Sequence, residues 1–159
     1  MKLLPASALA RSDKDLREHG QVLADIRAAR ALHRADLVMA FMHWGWENER
    51  SANARQRQLA RAMIDAGADA VIGGHPHVTQ DIETHRGKPI VYSVGNFVMM
   101  ETDNAQQRRA WLLRLRLDQR GVQGFETLPL QIDMRGIPSP VAPQDSPCWD
   151  RKQDAPGLC

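Results

Sequence analysis

Two short apolar runs, Leu37-Val38-Met39-Ala40-Phe41-Met42 and Ala70-Val71-Ile72-Gly73, constrain the fold of this chain more than any other feature. A strand with one wet face alternates apolar and polar residues. A run without alternation is how a strand reads when both its faces are covered, as inside a parallel sheet. Between the runs, Leu59, Ala60, Met63 and Ile64 recur at helical spacing, and Gly67 is placed to end that helix. A further helix precedes the first run, with Ser12 as its N-cap, Asp15 three residues on, and Leu16, Leu23, Ile26 and Ala29 along one face as far as His33. Helix, strand, helix, strand specifies an α/β fold. Right-handed crossovers then put the loops after both strands at one edge of the sheet, outside the strands' carboxyl ends, where ligand sites of open α/β sheets gather.

Those two loops hold the histidines. The first run stops at His43-Trp44-Gly45-Trp46-Glu47, the second at Gly74-His75-Pro76-His77. Neutral imidazole ligates zinc, iron and manganese, and two histidines one residue apart on a glycine-led turn can aim at one centre. Gly73 and Gly74 let the backbone turn sharply, and Pro76 stiffens the piece between the ligands. A His-x-His alone is weak evidence; at the end of a buried strand, beside a third histidine ending the neighbouring strand, it points to metal. His43 could otherwise cap its strand, its ring bonded to backbone. Trp44 and Trp46 read as packing and pocket wall. Glu47 reads as a solvated loop carboxylate, or as a group that orients a ligand histidine or carries a proton.

After residue 80 the pattern becomes antiparallel. Asp81 to His85 alternates, Arg86-Gly87 turns, and Pro89 to Tyr92 returns; Leu113 to Leu117 alternates, turns at Gln119-Arg120-Gly121, and pairs with Val122 to Leu130. From Gly136 onward prolines and polar residues follow without period, so residues 136–159 are expected to form a tail with little structure, after one domain over residues 1–135. The whole length of 159 residues suits one domain rather than two. Cys148 and Cys159, the two cysteines, fall in the tail and read as plain thiols, with a bridge in an oxidising compartment as the alternative. A net charge of +2, with arginines dispersed among acids, gives no nucleic-acid footprint. The N-terminal stretch is broken by Pro5 and Ser7 and makes no signal-peptide core, and no stretch reaches a membrane span's length, so the compartment is left open.

Taken in order, His43-Trp44-Gly45-x-Glu47, Gln58-Leu59-Ala60, Ile64-Asp65-Ala66-Gly67-Ala68-Asp69, Gly74-His75-Pro76-His77-Val78 and Lys88-Pro89-Ile90-Val91-Tyr92-Ser93-Val94-Gly95-Asn96-Phe97 resemble the CapA family of poly-γ-glutamate capsule synthesis proteins, over roughly residues 36 to 100. The resemblance implies part of a four-layer αββα sandwich of the calcineurin-like metallophosphoesterase kind. It implies a role in making or processing poly-γ-glutamate or a related envelope polymer, with a metal-dependent hydrolase as the complete form. The cofactors implied are divalent ions, two of them, manganese, zinc or iron. His43 and His75 would hold one and His77 the other, with His43 and Glu47 as catalytic candidates and Ser93, Asn96 and Trp44 lining the pocket. The substrate implied is a polymer or a phosphate-like small molecule, and the partners are membrane-associated capsule-synthesis proteins, since family members often work outside the cytoplasm.

The same resemblance calls for a Gly-Asp strand motif and an Asn-His turn in a first half, and residues 1–35 contain neither. The chain is therefore expected to be an N-terminally truncated domain. Three histidines without a bridging carboxylate make a poor two-metal centre. Half of a two-sheet sandwich would expose its inter-sheet face and invite self-association. Beside the enzyme reading stand a non-catalytic accessory module of a capsule-synthesis complex and an inactive fragment.

Overall fold

The computed structural model describes residues 16–99, 102–143 and 146–159. The expected helix start at Ser12 lies outside them. Helix α1 (Leu16–Ala31) leads to strand β1 (Met39–His43), helix α2 (Ala54–Asp65) and strand β2 (Ala70–Gly74). All four elements stand where the apolar spacing puts them. The first helix stops two residues short of His33 (Arg34 takes a left-handed φ of +49°).

The borders of α2 are built locally. Asn53 caps the first turn: its side chain accepts from the Gln56 N–H at 2.9 Å, while Gln56 Oε1 accepts from the Asn53 N–H at 3.0 Å, a reciprocal capping box. At the far end Gly67 adopts φ +118°. The Gly67 and Ala68 N–H groups donate back to the Ile64 and Met63 carbonyls, closing the helix with a Schellman motif.

A hairpin follows, β3 (Ile82–His85) and β4 (Lys88–Val91), turned on Arg86-Gly87 with both residues at positive φ. It is not a separate antiparallel unit. Strand β4 lies parallel to β2, in register Val71 with Ile90 and Ile72 with Val91, so the first sheet is mixed and runs β1-β2-β4-β3. Local sequence shows the hairpin; it does not show which older strand the hairpin returns to.

The second sheet is antiparallel throughout: β5 (Arg109–Asp118), β6 (Gly121–Ile132), β7 (Pro138–Pro140), β8 (Pro147–Asp150) and β9 (Gly157–Leu158). Here the expectation for residues 136–159 fails. Strands β7 and β8 both pair with β6, Trp149 is 2% exposed in the core between the sheets, and Cys148 is joined to Cys159 by a disulfide with Cα atoms 5.6 Å apart. The prolines that break periodicity are tolerated because Pro138 and Pro140 sit in β7, a short strand paired only to β6, and Pro147 is the first residue of β8.

Helices α1 and α2 cover one face of the first sheet, burying Ile26, Met63, Val38, Val71, Ile90 and Tyr92. The second sheet covers part of the other face, where Ala70, Met39 and Ile82 meet Val122, Phe125 and Trp149. The described residues therefore give three layers, helices, sheet and sheet. On the same face as Met39, Phe41 remains 58% exposed. No helix among the described residues is long and apolar enough to cross a membrane.

Candidate metal centre

β1 and β2 are parallel, and His43 stands opposite Gly74, so both histidine loops leave the sheet at one end. The two loops are tied together: the Trp44 N–H donates to the Gly74 carbonyl at 3.1 Å and the Asn48 N–H to the Pro76 carbonyl at 2.8 Å. Side-chain donor atoms of Glu47, His75 and His77 come within 4.8 Å of one another. His43 stands beside this trio, its ring centroid 4.5 Å from that of His75. The His43 and His75 rings lie nearer each other than those of His75 and His77, whose centroids are 6.0 Å apart, and the trio of donors adds a further residue to these histidines. Glu47, by sequence a loop carboxylate, is the third member. Partial desolvation by the surrounding loops first, and then the neighbouring His75 and His77, hold the exposed His43 imidazole below its ordinary pKa.

The turn is not made where the sequence suggests. Gly73 is extended, and its role is close approach: a Cβ there would stand 2.0 Å from the Tyr92 carbonyl oxygen and 2.3 Å from Trp44 Nε1. Gly74 has open space around its Cα. The unusual backbone falls instead on the histidines themselves, His75 at φ +98° and His77 at φ +61°. Such conformations cost about 1–3 kcal/mol for a residue with a side chain, and they cluster at functional sites.

Asn96 fixes how His77 presents itself. Its Nδ2 donates to two carbonyls, those of Gln107 at 2.8 Å and His77 at 3.2 Å. Carbonyls only accept, so the remaining atom, Oδ1, is the acceptor facing His77 Nδ1 at 2.8 Å. A proton therefore sits on Nδ1, and in the neutral ring Nε2 keeps its lone pair, the arrangement a metal-ligating histidine needs. The other two residues expected to line the pocket serve the scaffold. Ser93 is fully buried, and its hydroxyl accepts from the Gly95 N–H at 3.2 Å. Trp44 is buried against Tyr92 and donates to the Tyr92 carbonyl at 2.9 Å.

A chain of amides behind the site holds the loop that carries Glu47. Gln56, whose Oε1 is spent on the helix cap, donates through Nε2 to Gln80 Oε1 at 3.0 Å; Gln80 in turn donates to the Glu49 and Ser51 carbonyls. Gly45, at φ +83°, passes so close that a Cβ would meet the Gln56 amide at 2.8 Å. Sequence reading passes over this network. The Asn53-x-x-Gln56 spacing is its visible signal.

Two imidazoles and a carboxylate suit a zinc, manganese or iron ion. The trio can hold one such ion.

Comparison with known proteins settles the lineage. The family model described as "Bacterial capsule synthesis protein PGA_cap" matches residues 4–101. The chain belongs to this family. This CapA-like chain is 44% identical over 111 residues to the PGA biosynthesis protein CapA of Bacillus subtilis, covering 70% of the chain and 29% of that protein. It is 39% identical over 107 residues to the capsule biosynthesis protein CapA of Bacillus anthracis, covering 67% of the chain and 26% of that protein. A relative in Mycobacterium tuberculosis, named a probable polyglutamine synthesis accessory protein, is 38% identical over 78 residues, 49% of the chain and 19% of its own length. The chain thus spans less than a third of the curated CapA proteins it matches. A crystal structure of a hypothetical protein from Thermus thermophilus aligns over 89% of the chain and 53% of its own at 21% identity, with a TM-score of 0.39, too loose a likeness to assign a fold.

Proposed function

We propose that this chain serves the synthesis or processing of poly-γ-glutamate or a related capsule polymer, with Glu47, His75 and His77 holding a divalent metal ion. The observation that carries the metal reading is the convergence of those three donor sets at the carboxyl ends of two parallel strands. The polymer reading draws its support from the family and from the relatives' names. In its complete form the domain would be a calcineurin-like αββα sandwich able to hold two ions, with His43 as a further imidazole donor.

A divalent ion at this centre would supply Lewis acidity and lower the pKa of water toward neutrality, which suits hydrolysis or transfer at a phosphate- or amide-like bond. The residues' own part is positional. Asn96 keeps the His77 proton on Nδ1, the Gln56–Gln80 chain holds the Glu47 loop, and Glu47, exposed at the rim, can ligate or take up a proton.

Metal analysis of the purified protein beside His75→Ala tests the centre: the variant is expected to lose the ion, and equal metal content in both would sink the assignment. The name of the mycobacterial relative favours a second reading, a non-catalytic accessory module working with membrane-associated capsule-synthesis partners. Hydrolysis of a generic phosphate ester with added manganese separates the two. Turnover that disappears in His75→Ala supports the enzyme, and none in a metal-loaded protein supports the accessory role.

A further inference from the structure

Beside the metal centre a groove of about 550 Å³ opens between the loop after β1 and the start of β5. Its lining includes Arg50, Thr79, Gln106, Arg109 and Trp111, and no aspartate or glutamate. It is continuous in sequence with the centre at three points: Arg50 lies three residues beyond Glu47, Thr79 two beyond His77, and Gln106 next to the Gln107 whose carbonyl accepts from Asn96.

The two arginines differ from many of their kind in this fold. Arg57, Arg61, Arg114 and Arg116 each meet a carboxylate, whereas Arg50 and Arg109 meet none among the described residues. Their backbones are nonetheless fixed. Gln80 Nε2 donates to the carbonyls of Glu49 and Ser51, one on each side of Arg50. Gly95, at φ +77°, lets the Arg109 carbonyl approach so closely that a Cβ would stand 2.8 Å from its oxygen. The Trp111 N–H donates to the Val94 carbonyl at 2.9 Å, anchoring the strand that carries the indole into the groove. Two unpaired guanidiniums held on rigid backbone, with an indole and several aliphatic side chains in the same lining, match a ligand whose carboxylates are spaced along a partly apolar chain.

We infer that this groove is a binding track for an acidic polymer, with Arg50 and Arg109 reading its carboxylates and Trp111 supporting the chain between them. The inference rests on the capsule-polymer reading above and gives that reading its ligand chemistry: a glutamate oligomer laid along the groove, one end toward the histidines.

Fluorescence anisotropy with a fluorescein-labelled γ-linked oligoglutamate tests it on the full chain. Binding is expected for the wild-type protein, weaker with added salt, and absent for an oligoglutamine of equal length. Arg50→Gln with Arg109→Gln should lower the affinity about tenfold, the effect of two exposed ion pairs, while Arg50→Lys with Arg109→Lys keeps most of it. Metal content equal to wild type certifies that the glutamine variant is folded around an intact centre. Three results overturn the inference: no oligoglutamate binding by wild type, equal binding by the glutamine variant, or equally tight binding of a polyphosphate of the same charge. Metal uptake without oligoglutamate binding removes the track and leaves the metal centre standing. Oligoglutamate binding without metal uptake does the reverse.

Discussion

At the scale of single residues, Asn96 shows how much a neighbour decides. Its two carbonyl partners leave it one way to face His77, and that orientation chooses the tautomer. Asn96→Ala should therefore weaken metal affinity about 10- to 100-fold, the usual cost of losing a group that orients a ligand histidine, as isothermal titration with zinc or manganese would measure. Undiminished affinity would mean that His77 does not ligate. In the sequence, His75 and His77 are legible because they end a buried strand. Asn96 stays ambiguous there between turn and pocket, since its bonds reach 11 and 19 residues along the chain. Glu47 is ambiguous for a related reason: a loop carboxylate becomes a donor only if the loop bends toward the neighbouring strand's end.

Among elements, strand β3 and helix α2 are joined by charge. Glu83 on β3 accepts from Arg61 of α2 at 2.8 Å and from the Tyr92 hydroxyl at 3.0 Å, and Arg57 lies near. The Arg61 hydrogen bond, with help from Tyr92 and Arg57, holds the Glu83 carboxyl below its ordinary value of 4.5 despite its burial. A carboxylate with a depressed folded pKa contributes stability that is fully present above the ordinary value. That stability is lost as pH falls through the folded pKa. Glu83→Gln should thus flatten the acid limb of the stability curve below about pH 4.5 while leaving its shape near neutrality unchanged, as urea midpoints across an acid series would show. Helices and buried strands are readable at this scale because periodicity is local. The parallel pairing of β4 with β2 is not, because a strand's partner is chosen by the crossover that covers it and not by its own residues.

Taken whole, the molecule closes its second sheet with residues whose composition argued for disorder. Trp149, seated between the sheets with Phe125, is what draws the proline-rich end into place, and the Cys148–Cys159 link holds β9 against β8. One buried indole outweighs the lack of period, because burying so large an apolar surface stabilises by several times what a short strand pairing does. Reduction should lower unfolding free energy by about 3 kcal/mol, the loop-closure value for so short a ring, read as a shift of the urea midpoint on adding dithiothreitol. No shift would mean that the pair is not bridged in solution.

The left-handed backbone at His75 has a consequence for how such a protein can change over generations. Glycine at that position would relieve the conformation, so His75→Gly is expected to melt at a higher temperature than the metal-free parent, by the equivalent of about 1 kcal/mol, while binding no ion. A lineage released from its chemistry would drift toward that glycine. A histidine kept there forgoes that gain in stability.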